Sequence, residues 1–370
     1  MAGGSDRPGE DPRQYAARVT DRFLRACRLE PVDATPVWFM RQAGRYMSDY
    51  RALRERYSLL EICRHPDLAV AVTLQPVDVI EVDAAILFSD LLLPFTPLGL
   101  EFDFVKGEGP SVENPIRSAA DVDRLRRFEP RDELGHVIET IHILRTELTG
   151  RVPLIGFGGA PFTLAAYAIE GGPSTTYART KTFMYAHPRA WHRLCERLAE
   201  MIADYMRAQI EAGAQAIQIF DSWAGSLSRS DYREFAYPHT RAIFDRLADA
   251  GVPLIHFGVG TTAILPDLAA AGGDVIGVDW RLPLDEAWRR IGHDRGIQGN
   301  LDPTLLLGPA DRVFSAAHEV LRTANGRPGH VFNLGHGVLP ATPLERVQEL
   351  ARYVHRTSAR PVDAGAALGR

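Results

Sequence analysis

Ala212-Gly213-Ala214-Gln215-Ala216-Ile217-Gln218-Ile219-Phe220-Asp221-Ser222 is the stretch that decides the architecture. A small residue and a glycine close a helical segment, a run of strand length follows, and a carboxylate and a hydroxyl end it. The same border recurs twice: Ala250-Gly251 precedes Val252 to Gly258, and Ala271-Gly272 stands just before Asp274 to Trp280. Each glycine is placed as a helix C-cap, where positive φ costs little. The runs Ile217 to Phe220 and Leu254 to Phe257 lack the strict alternation of a half-exposed strand, so they are expected to be buried on both faces. Strands of this kind, separated by longer stretches of helical period, make a parallel sheet.

Working outward, five more runs complete a set of eight: Val37 to Met40, Ala84 to Ser89, Val152 to Gly156, Gly296 to Gly299 and His330 to Leu334. The most legible helix spans Pro188 to Ala212, with Trp191, Leu194, Cys195, Leu198, Ile202, Tyr205 and Met206 on one face at spacings of three and four. Leu, Ala and Val also fill Pro66 to Val79, where Pro76 is expected to kink or end any helix. Eight strand and helix pairs predict a (β/α)8 TIM barrel, an α/β fold in one catalytic domain over 14–355, with tails at 1–13 and 356–370. An open doubly wound sheet is the alternative. The lack of a Gly-x-Gly-x-x-Gly turn after an early strand weakens its dinucleotide-binding version.

The formal net charge of −5 argues against nucleic-acid binding, which needs a basic face. Any anionic ligand must then meet a local basic cluster. Three cysteines, far apart, suggest neither a disulfide framework nor a Cys-x-x-Cys metal site. No leader-like apolar run and no bilayer-spanning stretch is evident, so a soluble cytoplasmic protein with no membrane partner is expected.

Barrel active sites assemble at the C-terminal ends of the strands. Those ends supply Arg41 and Arg45, Ser89-Asp90, Gly158-Gly159-Ala160, Asp221-Ser222, His256, Asp279, Asn300-Leu301-Asp302 and His336. The segment from Arg41 to Arg56 holds Arg41, Arg45, Arg51, Arg54 and Arg56 against only Asp49 and Glu55, a basic island on an acidic chain. Guanidinium forks suit carboxylates. Arg51 and Arg56 alone read as a solvated helix face, whereas Arg41 and Arg45 flank Gly44, which lets backbone approach a ligand. Asp90, between apolar runs, is either a structural acid or a carboxylate that stabilises developing positive charge. Gly156 to Pro161 forms a turn whose N–H groups could face an anion. Tyr167 reads by default as a core aromatic, and His336 sits between two glycines at the barrel mouth.

Four of these segments, Met40-Arg41-Gln42-Ala43-Gly44-Arg45-Tyr46, Phe88-Ser89-Asp90, Phe220-Asp221-Ser222-Trp223-Ala224-Gly225 and Asn333-Leu334-Gly335-His336-Gly337, together resemble the uroporphyrinogen decarboxylase family in order and spacing. The resemblance implies a homodimeric barrel that converts the four acetate groups of uroporphyrinogen III to methyl groups without a cofactor or metal, giving coproporphyrinogen III. Carried over by motif, Arg41, Gln42, Ala43, Gly44 and Arg45 bind substrate, with Arg54 as a further carboxylate contact. Asp90 stabilises the reacting pyrrole, and Tyr167, Ser222 and His336 contact the macrocycle. Arg41, His336 or a carboxylate-bound water is the candidate proton source. The nearest rival is a zinc-dependent methyltransferase of the cobalamin or methionine-synthase type on the same barrel. It needs histidine and cysteine ligands, and His256 has no cysteine nearby in sequence.

Overall fold

Seven parallel strands stand side by side in a curled sheet, following chain order apart from a hairpin set aside after the first. The computed structural model describes residues 12–105 and 109–361. The strands are β1 (Ala85–Ile86), β4 (Leu154–Gly159), β5 (Ala216–Asp221), β6 (Leu254–Gly258), β7 (Val275–Gly277), β8 (Gly296–Leu301) and β9 (His330–Leu334). Between β1 and β4 lies an antiparallel hairpin of β2 (Phe102–Val105) and β3 (Gly109–Val112).

The eighth stave of the barrel is the segment at Val37. Phe332 of β9 donates its N–H to Pro36 O at 2.8 Å and pairs with Val37 in a parallel bridge. On the other side Val37 O accepts from Asp83 N–H at 2.8 Å, just before β1. Pro36 has no N–H to give, and the Val37 N–H goes to the Asp83 carboxylate at 2.7 Å, so the stave closes the ring with fewer backbone pairs than a full strand. Asp83 also accepts from Arg22 at 2.7 Å and from His355 Nε2 at 2.6 Å. Burial alone would raise its pKa, but the charges and hydrogen bonds of His355 and Arg22 outweigh burial and hold it below the usual value.

Seven of the eight strands expected from the sequence are present, with ends moved by a few residues, and the eighth, Val37 to Met40, is reduced to a single bridge at Val37. The polar interruptions Gln218 and His256 are buried. Trp38 Nε1 donates to Gln298 Oε1 at 3.0 Å and Gln298 Nε2 to Gln218 Oε1 at 2.9 Å, a polar chain across the barrel interior. The helix Pro188–Ala212 has the expected bounds, and its predicted face is buried. Gln209 on that face donates to Phe157 O at 3.1 Å and accepts from Phe157 N–H at 3.0 Å, fastening the helix to β4. The helix Pro66–Ile80 runs through Pro76 instead of ending there. Pro76 is buried with the helix's apolar face, and packing offsets the lost hydrogen bond.

The segments expected to be tails, 1–13 and 356–370, lie largely outside the described residues, at 1–11 and 362–370. Ordered structure crosses both inner boundaries: the first helix is Pro12–Cys27, and the last, Leu344–Ser358, is followed by Arg360, whose N–H donates to Asp33 O at 2.8 Å.

Candidate active site

The C-terminal ends of the staves enclose a cavity of about 340 Å³. Its wall includes Arg41, Gln42, Ala43, Asp90, Tyr167, Ser222 and His336, brought together from five separate staves.

The turn after the Val37 stave is pinned from within. Met40 N–H donates to Asn333 Oδ1 at 3.1 Å, and Met40 O accepts from Val338 N–H at 2.9 Å, so the first and last staves share this turn. Gln42 is buried, and its amide donates to Ala84 O at 3.1 Å and accepts from Phe39 N–H at 3.1 Å. Both ends of that side chain are spent on the fold. The residue of this turn with positive φ is Arg41, at 58°, and not Gly44. A Cβ on Gly44 would meet Arg41 O at 3.0 Å, so this glycine serves the turn itself. Arg41 is exposed to the cavity. Arg45 is exposed and Arg54 half-buried, with Arg54 Nη1 donating to Tyr57 O at 2.8 Å. These two and Gly44 stand outside the cavity wall.

Asp90 is half-buried at the cavity. One oxygen, Oδ1, accepts from Leu92 N–H at 2.9 Å. The other takes no hydrogen bond from any described residue. Loss of hydration raises the carboxyl to about 6, against the smaller lowering effects of the Leu92 N–H and the Arg41 charge.

His336 Nδ1 accepts from Gly337 N–H at 2.7 Å. That bond leaves the proton on Nε2 and makes the ring a donor at its far end. Burial first, then the positive charges of Arg41 and Arg281, push it down to about 4. Tyr167 lies on Trp223 with ring centroids 3.9 Å apart, and burial pushes its phenol well up. Phe157, Phe220 and Phe257 form an edge-on row at 5.6 and 5.8 Å along neighbouring strands.

Several strand-end residues are turned to structural work. Asp221 is fully buried and accepts from Thr163 Oγ1 at 3.2 Å, and that hydroxyl in turn accepts from Trp223 N–H at 3.3 Å. His256 is fully buried, with Nδ1 3.1 Å from Leu268 O. Asn300 donates to Asp279 O and Leu282 O at 2.9 and 2.8 Å, and Asp302 caps the short helix at Thr304. The glycines of β4 make room for a helix more than for an anion: a Cβ on Gly156 would stand 2.4 Å from Gln209 Oε1, and Ala160 N–H is taken by Phe220 O at 2.9 Å.

The sequence reading missed Trp223, Thr163, the phenylalanine row, and Phe104 and Pro110 of the hairpin, all of which line the cavity. Spacing offers a signal for the row, because Phe220 and Phe257 are register partners on β5 and β6. Among the described residues no three His, Cys, Asp or Glu side chains gather to hold a metal, and Cys27, Cys63 and Cys195 are each buried and free.

The family model described as uroporphyrinogen decarboxylase matches residues 18–357. A uroporphyrinogen decarboxylase of Sorangium cellulosum is 56% identical over 335 residues, covering 90% of this chain and 96% of the relative. One from Carboxydothermus hydrogenoformans is 53% identical, covering 92% of this chain and 97% of its own. Among solved structures, a methyltransferase from Methanosarcina mazei superposes with a TM-score of 0.75 at 23% identity, over 91% of this chain and 98% of that one. A B12-independent methionine synthase from Shewanella sp. reaches a TM-score of 0.52 at 12% identity, over 80% and 86%. At these identities the two structures share the fold alone.

Proposed function

Because the chain belongs to the uroporphyrinogen decarboxylase family, a family of carboxy-lyases of porphyrin biosynthesis, we propose that its cavity holds uroporphyrinogen III with one pyrrole over Asp90 and removes the four acetate carboxyls in turn. The observation that carries this reading is the Asp90 carboxylate: desolvated, and with one oxygen free of any described protein donor.

The substrate carries eight carboxylates, and the guanidiniums of Arg41, Arg45 and Arg54 meet them at one side of the mouth. Asp90 accepts pyrrole N–H bonds through its free oxygen. A proton added to the ring α-carbon makes that pyrrole a cation, which the Asp90 charge stabilises. The bond from the acetate methylene to its carboxylate then breaks, carbon dioxide leaves, and the electron pair moves into the ring. Protonation of the exocyclic methylene gives the methyl group, and loss of the α-proton restores the pyrrole. The ring itself is the electron sink, so these steps need no organic cofactor.

His336, with its ring neutral above pH of about 4, acts in this scheme as an Nε2–H donor to a carboxylate or carbonyl-like oxygen and not as the acid. Tyr167 and Ser222 are neutral donors on the opposite wall. Arg41 places the reacting acetate, and a water held by that carboxylate delivers the proton, since a guanidinium with a pKa above about 12 is a reluctant acid. Gln42, Ala43 and Gly44 contribute by holding Arg41 in its turn.

The working unit is further proposed to be a cytoplasmic homodimer with one catalytic domain over 14–355, as the family resemblance implies. No described helix is long and apolar enough to cross a membrane. Sedimentation at micromolar protein checks the dimer. Anaerobic incubation of chelator-treated protein with uroporphyrinogen III, followed by chromatography of the oxidised products, tests the activity. Accumulation of the four-carboxylate porphyrin is the expected result, and untouched substrate with folded protein would overturn the reading.

A further inference from the structure

The arginines assigned to the substrate, Arg41, Arg45 and Arg54, all belong to one segment after the Val37 stave. They therefore serve one arc of the rim. A flat macrocycle with carboxylates around its whole edge presents charge to the remaining arc too. Arg281 stands there. It follows the end of β7, three staves of eight round the ring from Val37, with β9 and β8 between.

The local packing sets Arg281 beside the His336 turn, outside the cavity wall. Gly335 lies directly on Trp280 and Asp279, where a Cβ would stand 2.6 Å from Trp280 N and 2.9 Å from Asp279 Cα. The turn that carries His336 is thus built against the turn that carries Arg281. The Arg281 guanidinium rests on the Trp280 ring, 4.4 Å from its centroid, with 49% of the side chain exposed. Its positive charge, like that of Arg41, is felt at His336.

Arg281 is paired with Asp279, but that carboxylate does not depend on it. Asp279 Oδ2 accepts from Gly260 N–H at 2.5 Å and Oδ1 from Arg281 N–H at 3.0 Å. Both oxygens are satisfied by backbone, so the guanidinium can turn outward, or bridge to a second anion, without stranding a buried charge. The indole beneath it restricts its motion while leaving donor edges open to solvent.

We propose that Arg281 is a specificity-determining residue that binds a peripheral carboxylate of the tetrapyrrole on the arc opposite Arg41, Arg45 and Arg54. This inference rests on the proposed function. It makes the protein select ligands with carboxylates on both sides of the ring, and it places the macrocycle between two cationic edges with His336 beside it.

The test compares Arg281→Ala, Arg281→Gln and Arg281→Lys with the unaltered protein. Two quantities are read: steady-state decarboxylation of uroporphyrinogen III, and equilibrium binding of uroporphyrin, the oxidised octacarboxylate, by quenching of tryptophan fluorescence. Loss of one charge-assisted contact predicts a roughly tenfold rise in KM and in the uroporphyrin Kd for the Ala and Gln variants, with kcat within about twofold. Arg281→Lys recovers part of the affinity. Unchanged KM and Kd in folded Ala and Gln variants overturn the inference, as does a fall in kcat alone, which would mark a role through His336. If the unaltered protein neither binds uroporphyrin nor decarboxylates uroporphyrinogen, the proposed function fails first and this inference with it.

Discussion

The side chain of Arg41 lies across the α-carbon of Gly337: a Cβ on that glycine would stand 2.4 Å from Cδ, 2.7 Å from Cγ and 3.1 Å from Cβ of the arginine. The contacts reach the root of the side chain, so it cannot evade them by moving its tip. The φ of Gly337 is not in the left-handed region, so alanine suits the backbone there. Gly337→Ala should displace Arg41 and lower the melting temperature modestly, by an overpacking cost of about 1–3 kcal/mol. A misplacement on the order of 1 Å costs up to about 10²-fold in rate. Wild-type kcat/KM in that variant would mean that the observed position of Arg41 is not the working one.

The pH profile should have one acid limb from Asp90. A carboxyl raised to about 6 must lose its proton before it can stabilise a cation, so kcat/KM should fall below an apparent pKa of about 6. His336, down at about 4, is neutral across that limb, and His336→Asn should keep the limb in place at lower overall activity. A limb that moves with the His336 substitution would assign it to the imidazole instead.

Asp90 also carries a stability cost. Its folded pKa lies above the ordinary 3.8, so the folded state takes up the proton first. The penalty is full above about pH 6, shrinks as pH falls toward 3.8, and is absent below that. At ~1.4 kcal/mol per unit the penalty is at most about 3 kcal/mol at neutral pH. Asp90→Asn should therefore melt higher than the unaltered protein at pH 7 and at the same temperature near pH 3.5. Equal melting at pH 7 would show that the carboxylate is hydrated through the cavity.

Asp83 shows the opposite sign. Its carboxyl is lowered, so its contribution is present above the ordinary 3.8 and is lost as pH falls through the folded value. Replacing it by alanine strands the Val37 N–H where the ring closes and takes one of two carboxylates from Arg22, which keeps its forked pair with Asp33. Leaving a buried N–H unsatisfied and losing hydrogen bonds to a charged group costs about 1–3 kcal/mol. Asp83→Ala should lower the melting temperature at pH 7, and an unchanged melt would mean that the stave holds without it.

The barrel was legible because buried parallel strands that follow a helix-closing small residue and glycine leave a strong local pattern, as at Ala212-Gly213 and Ala271-Gly272. Gly213 and Gly272 do have positive φ, at 121° and 142°. The hairpin Phe102–Val105 and Gly109–Val112 was not legible, since short strands containing Gly109 and Pro110 lack a period. Residue type alone could not separate Asp90 from Asp221. Both end apolar runs and both keep one oxygen without a hydrogen-bond donor among the described residues, yet Asp90 lines the cavity, whereas Asp221 is wholly buried behind Thr163. The sequence points to Gly44 as the place where backbone approaches a ligand, but Gly44 lies off the cavity wall and the positive φ sits three residues earlier on Arg41, held by the tertiary pinning of Met40 and Gln42.

The most direct measurement is the single-turnover rate of decarboxylation by Asp90→Asn, with enzyme in excess over uroporphyrinogen III, alongside its Kd for uroporphyrin. Loss of one preorganised charge at the transition state costs about 2.7–4 kcal/mol. The predicted result is a rate lower by roughly 10²–10³-fold with affinity kept within a few-fold. A rate equal to that of the unaltered protein would contradict the assignment of cation stabilisation to Asp90.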